Sequence, residues 1–460
     1  LSVAYLDNGG TNSNIGASSN DAANLVINGG SFRYTGAGQS SDRLFTLGAG
    51  GGSIDASGTG GLNLNNSGTM GISGTGTRTL TLTGTNTGDN ILAVAVINDL
   101  SSNATSIVKS GTGKWILTGD NTATGTVTLS SGTLQIGNAG TTGSISGNVS
   151  NSANLVFNRS DSYSYNGSIS GSGSVSQNGL GTLILSGTNS YTGITAVNDG
   201  ILSVSSMANG GSNSNIGASS SAAGNLVINR GTLKYTGGAQ SSNRLFTIGV
   251  NGATIDASGT GALNLTNTGT YGRSGTGTRT LTLTGSNTGN NTLAGVIAND
   301  ASSNATSVIK SGTGNWILSG ANTYTGATNV LDGTLIVTGS LAAGSVVTVN
   351  GNLAGTGNVA GMVNAGGGTL SPGVSGAGTL STGTLILNSS SVLNFDLGTA
   401  RDSIKVTGNL TLDGTLNVTE MAGFGPGTYC IITYSGTLID QGLQTGTMPA
   451  DYNYSIEASG

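Results

Sequence analysis

The sequence has 460 residues, of which 83 are glycine, only 7% are charged and none is histidine. Its net charge of −5 and its 14 scattered basic residues exclude a basic cluster that could neutralise nucleic-acid phosphates. The lack of histidine excludes Ser-His-Asp and Cys-His catalysis and most zinc sites, and the single cysteine excludes an intrachain disulfide.

Residues 1–138 form the first block, in which short runs alternate apolar and polar side chains, as at Leu80 and Leu82. A period of two predicts strands with one inward face, and the glycine and asparagine between the runs predict turns. No stretch has helical periodicity, and no apolar run reaches the roughly 20 residues that span a membrane. We therefore expect strands only, with no membrane span in this chain.

A smaller unit occurs three times, at 109–137, 176–204 and 310–338. Each unit has a glycine-containing turn, a strand, a second turn of the form Gly-x-Asn-[Thr/Ser]-x-Thr-Gly, and two short strands. The apolar positions of these strands should point inward and stack from unit to unit. This predicted repeat core consists of Trp115, Leu117, Leu134, Ile136, Leu183, Leu185, Leu202, Trp316, Leu318, Leu335 and Val337.

A larger duplication contains these units, because residues 1–138 realign on 202–339 at a constant offset of 201 without a gap. We predict four parts: repeat block A at 1–138, connecting coils with the second small unit at 139–201, repeat block B at 202–339, and a distinct C-terminal β-helix segment at 340–460. A unit this short cannot bury its own apolar face, so its copies must stack along an axis.

The fold class predicted from this pattern is all-β, a right-handed parallel β-helix with coils of roughly 20–25 residues. The alternative is a set of β-sandwiches. That class favours longer strands and aromatic core side chains, and two tryptophans in 460 residues argue against it.

The small unit resembles the passenger-associated transport repeat, the autotransporter-associated β-strand repeat of bacterial surface proteins. The resemblance is carried by the run from Lys310 to Gly326, which contains Trp316 and the turn at 320–326, and by the following strand at 332–337. The unit at 176–204 matches nearly as well, whereas the unit at 109–137 has Ala123 where the others have tyrosine. Residues 366–373, 402–406 and 427–430 resemble the end of an autotransporter passenger. This resemblance implies export to the cell surface, where such passengers serve as adhesins, matrix components or stalks.

Candidate chemistry is sparse. Asp55 and Asp99, with their copies Asp256 and Asp300, accompany the arginine pairs Arg43/Arg244 and Arg78/Arg279. We interpret them as corner caps or ion pairs, with a polysaccharide-cleaving groove as the alternative. Three further sets carry a functional alternative beside a structural interpretation. The first set forms Asx turns or binds calcium: Asn98-Asp99 and Asn198-Asp199. The second set consists of ordinary strand residues or forms an ice-binding array: Thr81, Thr83, Thr282 and Thr284. The third set packs over turns or stacks on glycans: Tyr34, Tyr235, Tyr191 and Tyr324.

We therefore expect an extracellular structural protein of the bacterial surface, not an enzyme and without a cofactor or metal. It would be a rod-like fibre, matrix or stalk element that associates head to tail, since open solenoid ends expose strand edges. An adhesin that binds a glycan or a surface protein is the alternative, and a β-helix lyase or hydrolase the second. We expect no nucleic-acid partner and interpret Cys430 as a buried hydrophobe, with residues 450–457 as a capping or docking strand. The candidate end contacts are Leu1, Val3, Tyr452, Tyr454 and Ile456.

Overall fold

A computed structural model of the chain describes residues 1–450 and 452–458. The chain forms two compact units, the first made of residues 1–206 and 210–220 and the second of residues 207–209 and 221–460. Apart from two 3-10 turns at Ala22–Asn24 and Ala223–Asn225, its regular elements are strands. The predicted boundary between 201 and 202 thus falls inside the first unit.

The strands of the first unit are short, and most have two to six residues. They are β1 Ser2–Val3, β2 Val26–Ile27, β3 Ser31–Tyr34, β4 Ala37–Ser41, β5 Thr46–Gly48, β6 Gly52–Ala56, β7 Gly60–Leu64, β8 Gly71–Ser73, β9 Arg78–Thr83, β10 Asn90–Leu92, β11 Thr105–Lys109, β12 Lys114–Leu117, β13 Val127–Leu129, β14 Thr133–Gly140, β15 Val149–Asn151, β16 Asn154–Arg159, β17 Ser162–Tyr165, β18 Ile169–Ser170, β19 Ser174–Gln177, β20 Thr182–Leu185, β21 Thr195–Val197 and β22 Ile201–Val204.

The second unit contains strands of the same kind. They are β23 Leu226–Ile228, β24 Thr232–Tyr235, β25 Gln240–Ser242, β26 Thr247–Gly249, β27 Ala253–Ala257, β28 Leu263–Leu265, β29 Gly272–Ser274, β30 Arg279–Thr284, β31 Asn290–Leu293, β32 Thr306–Lys310, β33 Asn315–Leu318, β34 Thr328–Val330, β35 Thr334–Val337, β36 Ser340–Leu341, β37 Val347–Val349, β38 Asn352–Gly355, β39 Asn358–Val359, β40 Val363–Asn364, β41 Thr369–Pro372, β42 Thr379–Thr382, β43 Leu385–Ile386, β44 Val392–Leu397, β45 Ser403–Val406, β46 Leu410–Leu412, β47 Thr415–Glu420, β48 Ile432–Tyr434, β49 Leu438–Asp440 and β50 Gln444–Thr445.

Within each unit the strands form long parallel sheets, because every circuit of the chain lays one strand of each sheet beside its predecessor. In the first unit the two long sheets follow the orders β1-β3-β6-β9-β11-β13-β15-β18 and β4-β7-β10-β12-β14-β16-β19-β21. In the second unit they follow β24-β27-β30-β32-β34-β37-β40-β43-β46-β49 and β25-β28-β31-β33-β35-β38-β41-β44-β47-β50. Both units are therefore parallel β-solenoids, as predicted.

The length of a circuit varies more than expected. Val3 pairs with Tyr34, so that circuit takes 31 residues, whereas Thr348 pairs with Asn364, a circuit of 16. The expected range of roughly 20–25 residues is therefore too narrow. Apart from one register shift between β14 and β16, the paired strands keep their register, and the additional residues lie in the corners between them.

The core lies inside each stack of coils and follows the alternation read from the sequence. In β9 the side chains alternate between buried and half-buried positions, and Leu80 and Leu82 are fully buried. All eleven residues predicted for the repeat core are at most 2% exposed. Each buried aliphatic side chain contributes about 1.5–3 kcal/mol through removal of apolar surface from water.

Glycine is required where coils turn against each other. Gly111 begins the turn after β11 with φ = 69°, in the left-handed region that glycine enters without strain. A Cβ atom at this position would lie 2.4 Å from the carbonyl oxygen of Gly84 in the preceding coil. The glycine of this turn thus permits both the backbone conformation and the close approach of neighbouring coils.

Candidate functional site

Two of the acidic residues selected from the sequence, Asp99 and its copy Asp300, form corner caps. Asp99 precedes β11 and accepts hydrogen bonds from the backbone N–H groups of Gly76 (2.9 Å), Ser101 (2.9 Å) and Asn103 (2.8 Å), and from the Asn103 side-chain amide (2.9 Å). Arg78 Nη2 lies 3.3 Å from Asp99 Oδ2, and both side chains are buried. The second copy repeats this pair, with Arg279 and Asp300 3.1 Å apart.

Both carboxyl groups are held in the ionised form by this arrangement. The Asn103 amide and the Gly76 N–H, with the other N–H donors, lower the pKa of Asp99 to about 2. The backbone N–H of Gly277, followed by the Asn304 amide, likewise lowers the pKa of Asp300. Each carboxylate is ionised and accepts hydrogen bonds from backbone N–H groups of its own corner, and so it stabilises the turn there. This favours the corner-cap interpretation over a polysaccharide-cleaving groove.

Asp55 and Arg43, which the sequence analysis placed together, have different partners. Asp55 lies 3.5 Å from Arg33, its neighbour across the β3–β6 pair, and its copy Asp256 lies 3.7 Å from Lys234. The ion-pair interpretation is therefore correct, but the partner differs from Arg43. Strand alternation points Asp55 outward, whereas Arg43 is buried, with 2% of its surface exposed. The two residues therefore cannot form one groove.

Arg43 fixes the large corner loop of the first coil, residues 7–18. Its guanidinium donates to the backbone carbonyls of five loop residues at 2.9–3.4 Å, and Nη1 also reaches the hydroxyl of Ser18 at 3.0 Å. These carbonyls belong to Asp7, Asn8, Thr11, Gly16 and Ser18. A buried arginine with this many acceptors organises the loop without leaving a donor for a ligand.

Two buried lysines, which the sequence analysis did not select, have the same role in the transport-type units. Lys109 Nζ donates to the carbonyls of Ser110 (2.7 Å), Gly111 (2.8 Å) and Ser131 (3.0 Å). Lys310 makes the equivalent set of bonds, and burial lowers the pKa of each lysine to about 8. In the middle unit Gln177 donates to the same type of turn. A Lys or Gln two residues before Gly-x-Gly in all three units was the signal available in the sequence.

The tyrosines considered as glycan platforms are buried. Tyr34, Tyr235, Tyr191 and Tyr324 are at most 1% exposed, so no sugar can stack on them. Their hydroxyl groups bind atoms a few residues further along the chain, as in the 2.7 Å hydrogen bond that joins Tyr324 across the following turn to Thr328 at the start of β34. Burial raises the pKa of Tyr324 to about 12. The structural interpretation of packing over turns is therefore correct.

The C-terminal segment differs from expectation. Residues 452–458 form no strand, and Asp451 lies outside the described residues. Tyr452 instead packs edge-on against Phe424, with ring centroids 5.5 Å apart, and Tyr454 donates to the Pro449 carbonyl at 2.8 Å. Cys430 is exposed, so its interpretation as a buried hydrophobe is wrong: it lies in a loop before β48, outside the alternating strand pattern.

The candidate end contacts differ in accessibility. Leu1 is 70% exposed and Tyr452 38%, whereas Val3 is buried within the first coil. Tyr454 and Ile456 are half-buried. Their role as end contacts stays a prediction.

Outward positions of the long sheet in the first unit carry small polar side chains. Thr81 pairs with Ser53 on one side and Val108 on the other, and the same row continues to Thr128 and Ser150. Val108 interrupts the hydroxyl row, so it is not the regular threonine array that ice binding needs. Where this face meets the corner, an open depression is lined by Gly29, Gly30, Ser31, Gly50, Gly52, Ser53, Thr79 and Thr81.

Within residues 1–450 and 452–458, no group of three or more Cys, Asp or Glu side chains could hold a metal ion. The side chain of Asn98, considered as a calcium ligand, instead accepts from the backbone N–H groups of Thr105 and Thr124, both at 3.1 Å. The same residues contain no helix that is long and apolar enough to cross a membrane.

Comparison with known proteins agrees with the repeat units. The family model of the passenger-associated-transport-repeat matches residues 107–136, 175–204 and 308–337, within two positions of the units read from the sequence. The chain is also similar to the "Adhesin BmaC autotransporter" of Brucella suis biovar 1 (strain 1330), with 37% identity over an alignment of 534 residues. The alignment covers 98% of this chain but only 14% of that relative. Together with the parallel solenoid, these findings show that the chain carries three passenger-associated-transport repeats and is similar, over nearly its whole length, to one part of an autotransporter adhesin.

Proposed function

We propose that this chain is a structural segment of a surface-exposed passenger, whose stacked coils space other parts of the passenger away from the membrane. One observation carries the proposal: the charged side chains that a reactive site would use already form hydrogen bonds to the backbone of the solenoid itself. Arg43 and Lys109 donate to backbone carbonyls, and Asp99 accepts from backbone N–H groups. At about 4.8 Å per strand, the eight-stranded sheet of the first unit alone rises about 34 Å.

The duplication supplies a test of spacing. Because Leu1 corresponds to Leu202, removing residues 1–201 leaves a chain that starts at the equivalent point of the second copy. A binding domain of known ligand, fused ahead of the chain and displayed on cells, should capture immobilised ligand less well after this deletion. A second 201-residue block, inserted in register, should restore capture. Equal display is verified with an antibody against the fused domain.

Unchanged capture after the deletion would contradict the spacing role. Specific binding of cells or matrix proteins by beads coated with the purified chain alone would also contradict it. Beads coated with the heat-denatured chain serve as the control for nonspecific adhesion.

Adhesion through the depression near Thr81 is the second candidate. The depression is lined by glycine, serine and threonine without a charged group, which suits a neutral glycan. In the second copy Arg230 stands at the position of Gly29, and both residues have positive φ, 77° and 75°. Gly29→Arg should therefore block the depression in a backbone conformation that arginine already adopts at the equivalent position of the second copy.

The corresponding experiment is a glycan array probed with the parent chain and the Gly29→Arg variant. Adhesion through this surface requires a glycan signal that Gly29→Arg removes, and the reciprocal Arg230→Gly should create a second binding surface. No signal with the parent chain removes this candidate.

Head-to-tail association is also a proposal. At the end of the second unit, β48, β49 and β50 are the last strands of their sheets, and Ile439 in β49 is 54% exposed. Such edges can pair with another chain. Electron microscopy at increasing protein concentration should show filaments, and particles of constant length at every concentration would contradict the idea.

A further inference from the structure

Two loops of identical sequence have different surroundings in the two copies. Residues 12–19 and residues 213–220 both read Asn-Ser-Asn-Ile-Gly-Ala-Ser-Ser. In the first copy Asn14 and Gly16 are exposed, whereas in the second copy Asn215, Ile216 and Ser219 are at most 4% exposed. We name residues 12–19 the first receiving loop and residues 213–220 the second receiving loop.

The second receiving loop is covered by the preceding transport-type unit, with which it belongs to the first compact unit. The backbone groups of Asn189 and Ser214 form two hydrogen bonds at 3.0 and 3.2 Å. The Asn189 side chain donates to the Asn215 carbonyl at 2.7 Å, and the Asn215 side chain donates back to the Gly187 carbonyl at 3.0 Å.

Tyr191 completes this contact. Its carbonyl accepts from the Ala218 N–H at 2.7 Å, and its ring lies against Gly217. A Cβ atom at Gly217 would approach the Tyr191 carbonyl oxygen to 2.4 Å and its ring to 2.9 Å. At Gly16, the equivalent of Gly217, nothing lies within 4 Å of such a Cβ.

The strand ladder shows the same difference. In β22 Leu202 pairs with Leu183 of β20 and is 1% exposed. Its equivalent Leu1 is 70% exposed. Asn14 holds the chain through its Oδ1, which accepts from the N–H groups of Ala4 and Tyr5 at 3.0 and 2.7 Å. Among the described residues none accepts a hydrogen bond from Asn14 Nδ2, the group whose equivalent binds Gly187 in the second copy.

We propose that Leu1 and the first receiving loop form a docking surface for a solenoid coil that ends in a passenger-associated-transport repeat. The repeat must carry the asparagine and tyrosine of the turn Gly-x-Asn-Ser-Tyr-Thr-Gly, because Asn189 and Tyr191 supply the contacts in the second copy. The 201-residue block is therefore a module that joins another module of its own kind through this loop.

The first test places a copy of residues 139–201 directly ahead of Leu1 in the full chain, which recreates the junction between 201 and 202. A Ser162→Thr marker in the copied segment separates its peptides by mass in hydrogen–deuterium exchange. Peptides covering residues 12–19 should exchange at least about tenfold more slowly than in the parent chain, because the Ala17 N–H gains a buried acceptor.

The second test uses glycine positions with positive φ, where asparagine is tolerated. In the parent chain Gly217→Asn should lower the melting temperature by more than about 5 °C. Gly16→Asn and the control Gly211→Asn, which has open space around it, should change it little. In the extended chain Gly16→Asn should abolish the new protection of residues 12–19, whereas Gly10→Asn should preserve it.

Fast exchange of residues 12–19 in an extended chain whose marked segment is itself protected would overturn the proposal. So would an extended chain in which Gly16→Asn leaves the protection intact. Protection that appears in the parent chain as its concentration rises would also overturn it, since the occupant would then be a second copy of the chain.

Discussion

The two tryptophans, Trp115 and Trp316, provide a measurement of core energetics in each unit. Trp115 is fully buried in β12, and its indole N–H donates to the Thr83 carbonyl at 2.9 Å. Trp316 occupies the same position in β33 and donates to the Thr284 carbonyl, also at 2.9 Å. Because the environments match, equivalent substitutions should have equal effects in the two units.

Replacing Trp115 with alanine removes the ring and leaves a cavity, and such substitutions cost about 3–5 kcal/mol in the free energy of unfolding. Replacing it with phenylalanine keeps an aromatic ring but deprives the partly buried Thr83 carbonyl of its donor, which costs about 1–3 kcal/mol. For a unit of this size, the alanine variant should melt roughly 10 °C lower than the parent chain.

Guanidinium unfolding followed by circular dichroism measures the free energy, and fluorescence assigns it to a unit. In Trp115→Phe the remaining indole reports on the second unit, and in Trp316→Phe it reports on the first. A loss below about 1 kcal/mol for Trp115→Ala would refute the argument that this ring is closely packed. Equal losses for the alanine and phenylalanine variants would refute the separate contribution of ring packing.

Three further measurements test the corner caps and the exposed thiol. Because the pKa of Asp99 and of Asp300 is lowered in the folded chain, their contribution to folding stability is complete above the ordinary aspartate pKa and is lost as the pH falls toward about 2. The melting temperature should therefore fall less steeply with acid in the double Asp→Asn variant than in the parent chain. Burial lowers the pKa of Lys109 and Lys310 to about 8, so between about pH 8 and 10 the unfolded chain binds more protons than the folded chain. The melting temperature should therefore rise over that range, and a double Lys→Met variant that shows the same rise would contradict this assignment. Cys430 should react with a thiol reagent in the native protein within minutes, and a reaction that requires denaturant would show that it is covered.

The sequence was sufficient to predict the fold because the same short pattern recurs. A period of two determines which side chains point inward, and Leu80, Leu134 and Trp316 are buried as the alternation requires. The repeat units also indicate parallel stacking, since each copy needs a neighbour to cover its apolar face. These features are local and periodic, and both can be read without coordinates.

The corners could not be predicted in the same way, because their contacts join residues of different coils. Arg43 reaches the Gly16 carbonyl 27 positions away, and nothing in the spacing distinguishes it from a residue beside Asp55. The buried ammonium group of Lys109 likewise donates a hydrogen bond to the carbonyl of Ser131 in the next coil, 22 positions away. Cys430 lies in an apolar run that resembles a strand, but β48 begins only at Ile432, so Cys430 stands in the preceding loop with its side chain exposed.

The variable corners have a consequence for recognition by an immune system. The strand ladders keep their register while circuits range from 16 to 31 residues, so corner loops can lengthen or shorten without breaking the backbone hydrogen bonds of the sheets. Loops of this kind tolerate insertion and carry much of the sequence variation in a protein. Antibodies raised against such corners would bind the part of the solenoid that can change most readily. A bacterium could therefore alter the antigenic surface of this segment while its fold stays the same.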